Sequence, residues 1–296
     1  PRQQLACRLL EVLIDVQFLR PAWHYRWNYM DENYGFVGRE FGRSFRPTGN
    51  DEEIEHYGRV IADRMEGYRG AIDGGDDLHE VLEAIVDELW DLLEQHFINT
   101  PYLFGGRPSV ADTVLQGPLY GHLARDPVPA MRMKQRAPRV FRYTEHMNTP
   151  EVAQPELADV PEDFTAGDAV PDAALQLLQR CLADQLPVLL ESARLYDEWV
   201  SEPARLDAPP GTAALEGVDE PVITRFDGAL RGARAPAMAQ LHTLWLLQNV
   251  SDWYGGLPEQ DRANCEALAR EVGAIELMDL RPSRRLARTD SLITLA

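Results

Sequence analysis

Leu5, Leu9, Val12, Val16 and Leu19 recur at steps of four, three, four and three residues, and Gln4, Arg8, Glu11 and Asp15 form the opposite polar stripe. A β-strand alternates its side chains at period two and cannot bury such a stripe. The chain therefore opens as an amphipathic helix. The pattern continues toward Trp23-His24-Tyr25-Arg26-Trp27-Asn28-Tyr29, with Pro21 as a possible kink. The same period returns in Leu78, Leu82, Ile85, Leu89 and Leu92, with Glu80, Glu83, Asp87, Asp91 and Glu94 expected to face out. It returns again in Leu175, Leu178, Leu182, Leu186 and Leu189, interrupted or kinked at Pro187. The fold class expected is all-α, with little or no sheet.

Local chemistry sets the boundaries. Gly35–Asn50 is Gly-rich and polar, and a helix is expected from about Asp51 to Ala71. Asp73-Gly74-Gly75-Asp76-Asp77 reads as a turn and helix start, with Asp77 capping and Glu80 as its reciprocal partner. Ser109 and Asp112 form a second box, S-x-x-D, opening a helix to about Ala124 that Gly117-Pro118 bends. A further helix is expected over Arg132–Met147, and Pro150–Pro171 reads as an acidic linker. Ser201–Pro236 reads as loop with one short strand at Val222-Ile223-Thr224. Two last helices are expected, Met238–Tyr254 and Pro258–Val272, the second opened by Pro258 and closed by Gly273. The tail 283–296 is expected to be mobile. Two parts follow, 1–150 and 151–296, with 201–236 irregular.

Composition narrows the partners. The 296 residues are ample for a buried core, and the net charge of −19 repels phosphate backbones and anionic lipid. No nucleic acid and no membrane are expected, and no apolar run is long enough to span a bilayer. Cys7, Cys181 and Cys265 are dispersed without CxxC spacing, which fits a reducing cytosol and a cytoplasmic protein. Each sits in an apolar helical pattern, as a small hydrophobe does. Arg125, Arg132, Lys134, Arg136, Arg139 and Arg142 cluster in one segment. The plain reading is a solvated basic face; the functional one is a contact to an acidic partner surface or an anionic substrate group.

Motifs for catalysis are sparse. His79-Glu80-Val81-Leu82-Glu83 begins like H-E-x-x-H, but Glu83 replaces the second histidine. Two side chains at i and i+4 can hold a metal, yet a capped, solvent-facing turn is the plainer reading, so no metal is expected. No P-loop, G-x-S-x-G or G-x-G-x-x-G is present, and no catalytic residue is assigned. The aromatic run puts Trp23 and Trp27 on one helical face and Tyr25 and Tyr29 on another, which suits either core packing or the wall of a small-ligand pocket. Gln248 and Asp252, one turn apart, are expected to hydrogen-bond each other or to face a cavity.

The stretch Tyr102-Leu103-Phe104-Gly105-Gly106-Arg107-Pro108-Ser109-Val110-Ala111-Asp112 resembles the C-terminal, all-helical domain of the glutathione S-transferases. The resemblance is strongest over Leu78–Glu151 and looser back to Pro1. It implies a helical bundle with extra C-terminal helices, in which Ser109 and Asp112 are a structural capping box. It also implies that the first helix lines an electrophile pocket, with Tyr25, Trp27 and Tyr29 as candidates. One departure is the staple, which would pair Pro108 with Thr113. The family attacks an electrophile with the thiolate of glutathione, its co-substrate, and acts in detoxification as a homodimer. The residue that activates the thiol sits there in a thioredoxin-like domain, expected to lie outside this sequence. The function implied is the hydrophobic-electrophile-binding part of a transferase. The alternative is a non-catalytic interaction module.

Overall fold

The computed structural model describes residues 1–149, 154–215 and 222–296. Helices carry most of them. In chain order they are α1 (Arg2–Asn28), α2 (Met30–Phe45), α3 (Asp51–Glu66), α4 (Arg69–Ile72), α5 (His79–His96), α6 (Val110–Pro118), α7 (Pro127–Arg136), α8 (Pro138–Asn148), α9 (Asp172–Val200), α10 (Pro203–Leu206), α11 (Leu241–Gly255), α12 (Glu259–Val272) and α13 (Ile275–Met278). The strands are β1 (Thr212–Ala213), β2 (Val222–Leu230), β3 (Ala233–Gln240), β4 (Leu286–Thr289) and β5 (Leu292–Leu295). The chain divides into two compact units, one of residues 17–165 and one of 1–16 with 166–296. A cut near residue 150 would fall at residues outside those described, and the first sixteen residues group with the C-terminal part rather than with the segment that follows them.

In the unit 17–165, α1 continues through Pro21 to Asn28. Most of the Gly-rich, polar stretch Gly35–Asn50 lies in helix α2, and its glycines have a packing role. A Cβ at Gly42 would lie 2.0 Å from the Ile54 carbonyl oxygen, and one at Gly58 would lie 2.3 Å from that of Gly38. The glycines let α2 and α3 approach backbone to backbone. Trp27, Val37 and Ala62 form the buried cluster there, with Trp23 and Phe41 packed against it. The Asn50 side chain caps α3, with Glu53 reciprocating.

The turn before α5 departs from expectation. Gly75–Leu78 is a short 3-10 turn, and Leu78 precedes α5 without a side-chain cap, so the Asp77 cap is not formed. Asp73 takes the local role instead, its Oδ1 accepting from the Gly75 amide at 2.7 Å. The Ser109–Asp112 box forms as expected. Pro118 lacks an N–H, and the chain widens into a π-turn at Leu119–Leu123, the Ala124 amide reaching the Leu119 carbonyl at 2.7 Å. The helix expected over 132–147 is two helices, broken between Ala137 and Pro138 because Pro138 cannot continue the ladder.

In the other unit, α9 runs from Asp172 to Val200 with Pro187 inside it. Strands β2 and β3 form an antiparallel hairpin, mostly within the region expected to be loop, with Ala235, Ala237 and Ala239 buried at period two. The tail expected to be mobile is paired: β4 and β5 form a hairpin and β1 adds to β5. Their inward Leu286 and Leu295 join Tyr196, Val200, Leu241 and Leu244 in one buried cluster. Gln248 and Asp252 do not bond each other. Gln248 bridges the Leu286 backbone in both directions at 2.9 Å, while Asp252 pairs with Arg285. α12 follows Pro258 and ends on left-handed Gly273, φ 82°.

Candidate functional site

A cluster of ionisable groups in the unit 17–165 forms where the last turn of α1, the first three turns of α5 and the middle of α7 meet. Helical spacing supplies it. His24, Tyr25 and Asn28 come from α1, Tyr29 from the junction with α2, His79, Glu83 and Asp87 from α5, and Arg132 from α7.

Glu83 is the hub. Its side chain is 17% exposed, not solvent-facing. Oε1 accepts the Tyr29 hydroxyl, and Oε2 accepts Arg132 Nη1 at 2.5 Å. Arg132 also donates to Tyr25 Oη at 2.6 Å and to both Asp87 oxygens at 3.0 Å. Burial raises the Glu83 carboxyl, but the hydrogen bonds from Tyr29 and Arg132 and the guanidinium charge outweigh it and hold the group below its usual range. Tyr29 is pushed up to about 12, first by burial and then by its bond to Glu83. Tyr25 rises further for the same order of reasons, burial and then the Glu83 charge.

The two histidines flank the same oxygen. His24 Nε2 lies 3.8 Å and His79 Nε2 3.6 Å from Glu83 Oε1. Their rings meet edge to face, with centroids 4.9 Å apart. His24 is fully buried, and neither of its ring nitrogens has a hydrogen-bond partner. An unmet buried polar group of this kind costs roughly 1–3 kcal/mol. Burial, His79 and Arg69 depress its pKa to about 4 against a partial counter-effect of Glu83, so the ring is neutral at pH 7. His79 Nδ1 faces Asn28 Nδ2 at 3.3 Å, and Asn28 Oδ1 accepts from Arg69 at 2.7 Å.

Beyond the hub, Glu80 and Asp91 of the acidic stripe are exposed as the helical pattern expects, while Asp87 and Glu94 are drawn in by arginines of the neighbouring helices. Arg136 pairs with Asp91 and Asp87, and Arg139 with Glu94. Buried Glu94 also accepts the Arg139 and Val140 amides at the start of α8. Arg125 reaches Glu40, and Arg142 reaches Glu156. The five arginines of the basic segment are therefore paired within their own unit, and Lys134 lies over the Phe141 ring.

The sequence-derived candidates separate. Tyr25 and Tyr29 stack at 5.9 Å, and both touch the hub. Tyr25 is fully buried and Tyr29 half-buried. Trp27 lies in the α2–α3 cluster instead. Ser109 and Asp112 lie at the start of α6. There fully buried Asp112 accepts the Leu103 amide at 2.9 Å, the Ser109 amide at 2.8 Å, the Ser109 hydroxyl at 2.6 Å and the Tyr143 hydroxyl at 3.1 Å. His24, Asp87 and Arg132 were not singled out as site residues. The matching period of Glu83, Asp87, Asp91 and Glu94 against Arg132, Arg136 and Arg139 is the signal that could have found the ladder. The three cysteines are free thiols, and burial raises that of Cys181 far above its usual value.

Among the described residues no helix is long and apolar enough to cross a membrane. Comparisons with protein-family models, with curated proteins and with solved structures find no match to this chain.

Proposed function

We propose that residues 17–165 are a glutathione-transferase-like helical domain that holds a small hydrophobic electrophile for attack by the thiolate of glutathione. One observation carries this reading. The segment on which the resemblance rests, Tyr102 to Asp112, builds a buried capping box, and Asp112 fastens the preceding loop, the helix start and Tyr143 of α8 to one carboxylate. Such a node fixes α6 and α8 against each other, the structural role the resemblance implies for Ser109 and Asp112.

Of the three pocket candidates, Tyr29 is the one with an accessible ring, and it stands beside part-exposed His79 and Arg132. An aromatic face with polar tips suits an aromatic or halogenated ligand. Tyr25 acts behind it, stacked on the ring and bonded to Arg132. No described residue is assigned the task of activating the thiol. The alternative, an interaction module, drew on the basic strip Arg125 to Arg142 and on the long C-terminal extension. The pairing of Arg125, Arg132, Arg136, Arg139 and Arg142 with carboxylates of the same unit weakens the first of these supports.

The test is equilibrium dialysis with S-(2,4-dinitrophenyl)glutathione, the conjugate of a halogenated aromatic electrophile. Binding that Tyr29→Ala weakens about 10-fold, the scale of one lost aromatic contact, is expected. Equal binding by the wild type and Tyr29→Ala, or none by either, refutes the pocket.

A further inference from the structure

The geometry points to a divalent transition-metal site formed by His24, His79 and Glu83, of the kind that takes zinc through two imidazoles and one carboxylate oxygen. This does not rest on the transferase reading and stands or falls separately from it.

Three observations converge. The candidate ligand atoms all lie within 4.8 Å of one another. Both Nε2 atoms approach Glu83 Oε1, at 3.6 and 3.8 Å. Ligand atoms around a tetrahedral zinc with bonds of ~2.0–2.1 Å sit ~3.3 Å apart, so closure needs shifts of a few tenths of an ångström at these two contacts. The second observation is independent of proximity. His24 is buried completely, and both of its ring nitrogens lack a hydrogen bond. A neutral imidazole held without a partner against a second imidazole and a carboxylate is a donor set waiting for a Lewis acid. Third, Glu83 and His79 are held by outer contacts. Arg132, itself anchored by Asp87, fixes Glu83 through Oε2 and leaves Oε1 toward the histidines. Tyr29 bonds that same Oε1, and Asn28 stands at His79 Nδ1. Ligation through His79 Nε2 places the ring proton on Nδ1, so it requires the Asn28 amide to turn its oxygen to that nitrogen and leave Arg69 to Asp73 and Asp76.

Spacing within α5 explains why two ligands are ready together. His79 and Glu83 stand at i and i+4, one above the other on the helix. His24 arrives from α1 and completes the set. Three protein ligands leave a fourth position for water or another small donor, on the side where His79 is 38% exposed.

The experiment uses the whole chain, stripped with a chelator and titrated with Co²⁺ while visible absorption is followed, then with Zn²⁺ in competition. One equivalent of Co²⁺ giving the intense bands of a tetrahedral site, displaced by Zn²⁺, is expected. His79→Ala and Glu83→Gln, both at part-exposed side chains, weaken Co²⁺ binding at least about 100-fold, beyond the loss from an outer contact. His56→Ala, at an exposed histidine elsewhere, changes nothing. His24→Ala opens a hole in the core, so the conclusion rests on the other two variants, each checked by circular dichroism. Absence of a tetrahedral band at one equivalent overturns the site. So does unchanged affinity in folded His79→Ala and Glu83→Gln, which would mark the binding as adventitious.

Discussion

Replacing Asp112 by alanine tests the node that ties the loop, α6 and α8. The wild-type carboxylate is fully buried and accepts from two amides and two hydroxyls. The buried Leu103 amide has no water to fall back on, and the buried Tyr143 hydroxyl keeps only a longer contact of 3.4 Å to the Asp112 carbonyl. Each orphaned donor costs roughly 1–3 kcal/mol, and loss of the cap itself costs about 1 kcal/mol more. Partial rearrangement recovers some of this, so Asp112→Ala is expected to lose about 3–5 kcal/mol, a large share of the ~5–15 kcal/mol a domain holds. Asp112→Asn keeps one acceptor oxygen and falls in between. Ser109→Ala removes only a hydroxyl from the cap and costs about 1 kcal/mol. Urea unfolding followed by far-ultraviolet circular dichroism reads the order directly from the midpoints, provided the slopes agree. An Asp112→Ala protein within about 1 kcal/mol of wild type would refute the reasoning, because it would mean the carboxylate is not what satisfies these groups.

Glu94→Ala removes the acceptor for the first amides of α8 and is expected to cost about 2–3 kcal/mol by the same assay, whereas Arg139→Ala, at a half-exposed cation, costs under about 1 kcal/mol. Gly58→Ala gains up to about 1 kcal/mol of helix propensity but drives a Cβ into the Gly38 carbonyl, so its melting temperature falls, while Gly70→Ala, whose Cβ meets nothing, does not destabilise. Acidification is expected to weaken the chelator-treated protein. His24 is neutral in the fold with a pKa near 4 and titrates near 6.5 when unfolded, so below pH 6.5 the unfolded state takes up the extra proton. Its contribution is full above pH 6.5 and is lost as pH falls toward 4. That is about 2 kcal/mol between pH 7 and pH 5, and His24→Gln flattens this part of the profile. An unchanged slope in a folded His24→Gln protein would show that His24 is not the group responsible.

Periodicity made the helices legible, because a stripe at 3.6 residues has one physical solution, and the Ser109–Asp112 box was readable because its partners lie three residues apart. What escaped the reading depended on partners far along the chain. α2 was not assigned from the sequence because its glycines serve a backbone approach to α3 that only the fold reveals. Only the start of β2 was legible, at Val222-Ile223-Thr224; β3 was hidden by its Ala and Pro content, and β4 and β5, four residues each, are too short to show a period and gain cover from Tyr196 and Leu241 in the fold. Glu83 and Glu94 seemed solvent-facing because a helix alone places them outward, yet α7 and α8 bring arginines over that face. Tyr25 and Tyr29 were found through their shared helical face, but His24 gained its interest only when α5 brought His79 and Glu83 to it. Trp27, two residues from Tyr25, turned to a different cluster, as its position around the helix dictates.

The most direct test of the central claim is calorimetric titration of this chain with free glutathione and, separately, with S-hexylglutathione. Heat from the hydrophobic conjugate and none from free glutathione is expected under the proposed function, in which these residues hold the electrophile and no thiol site is assigned to them. Tight binding of free glutathione would contradict that division of roles, and silence with both ligands would contradict the proposed function itself.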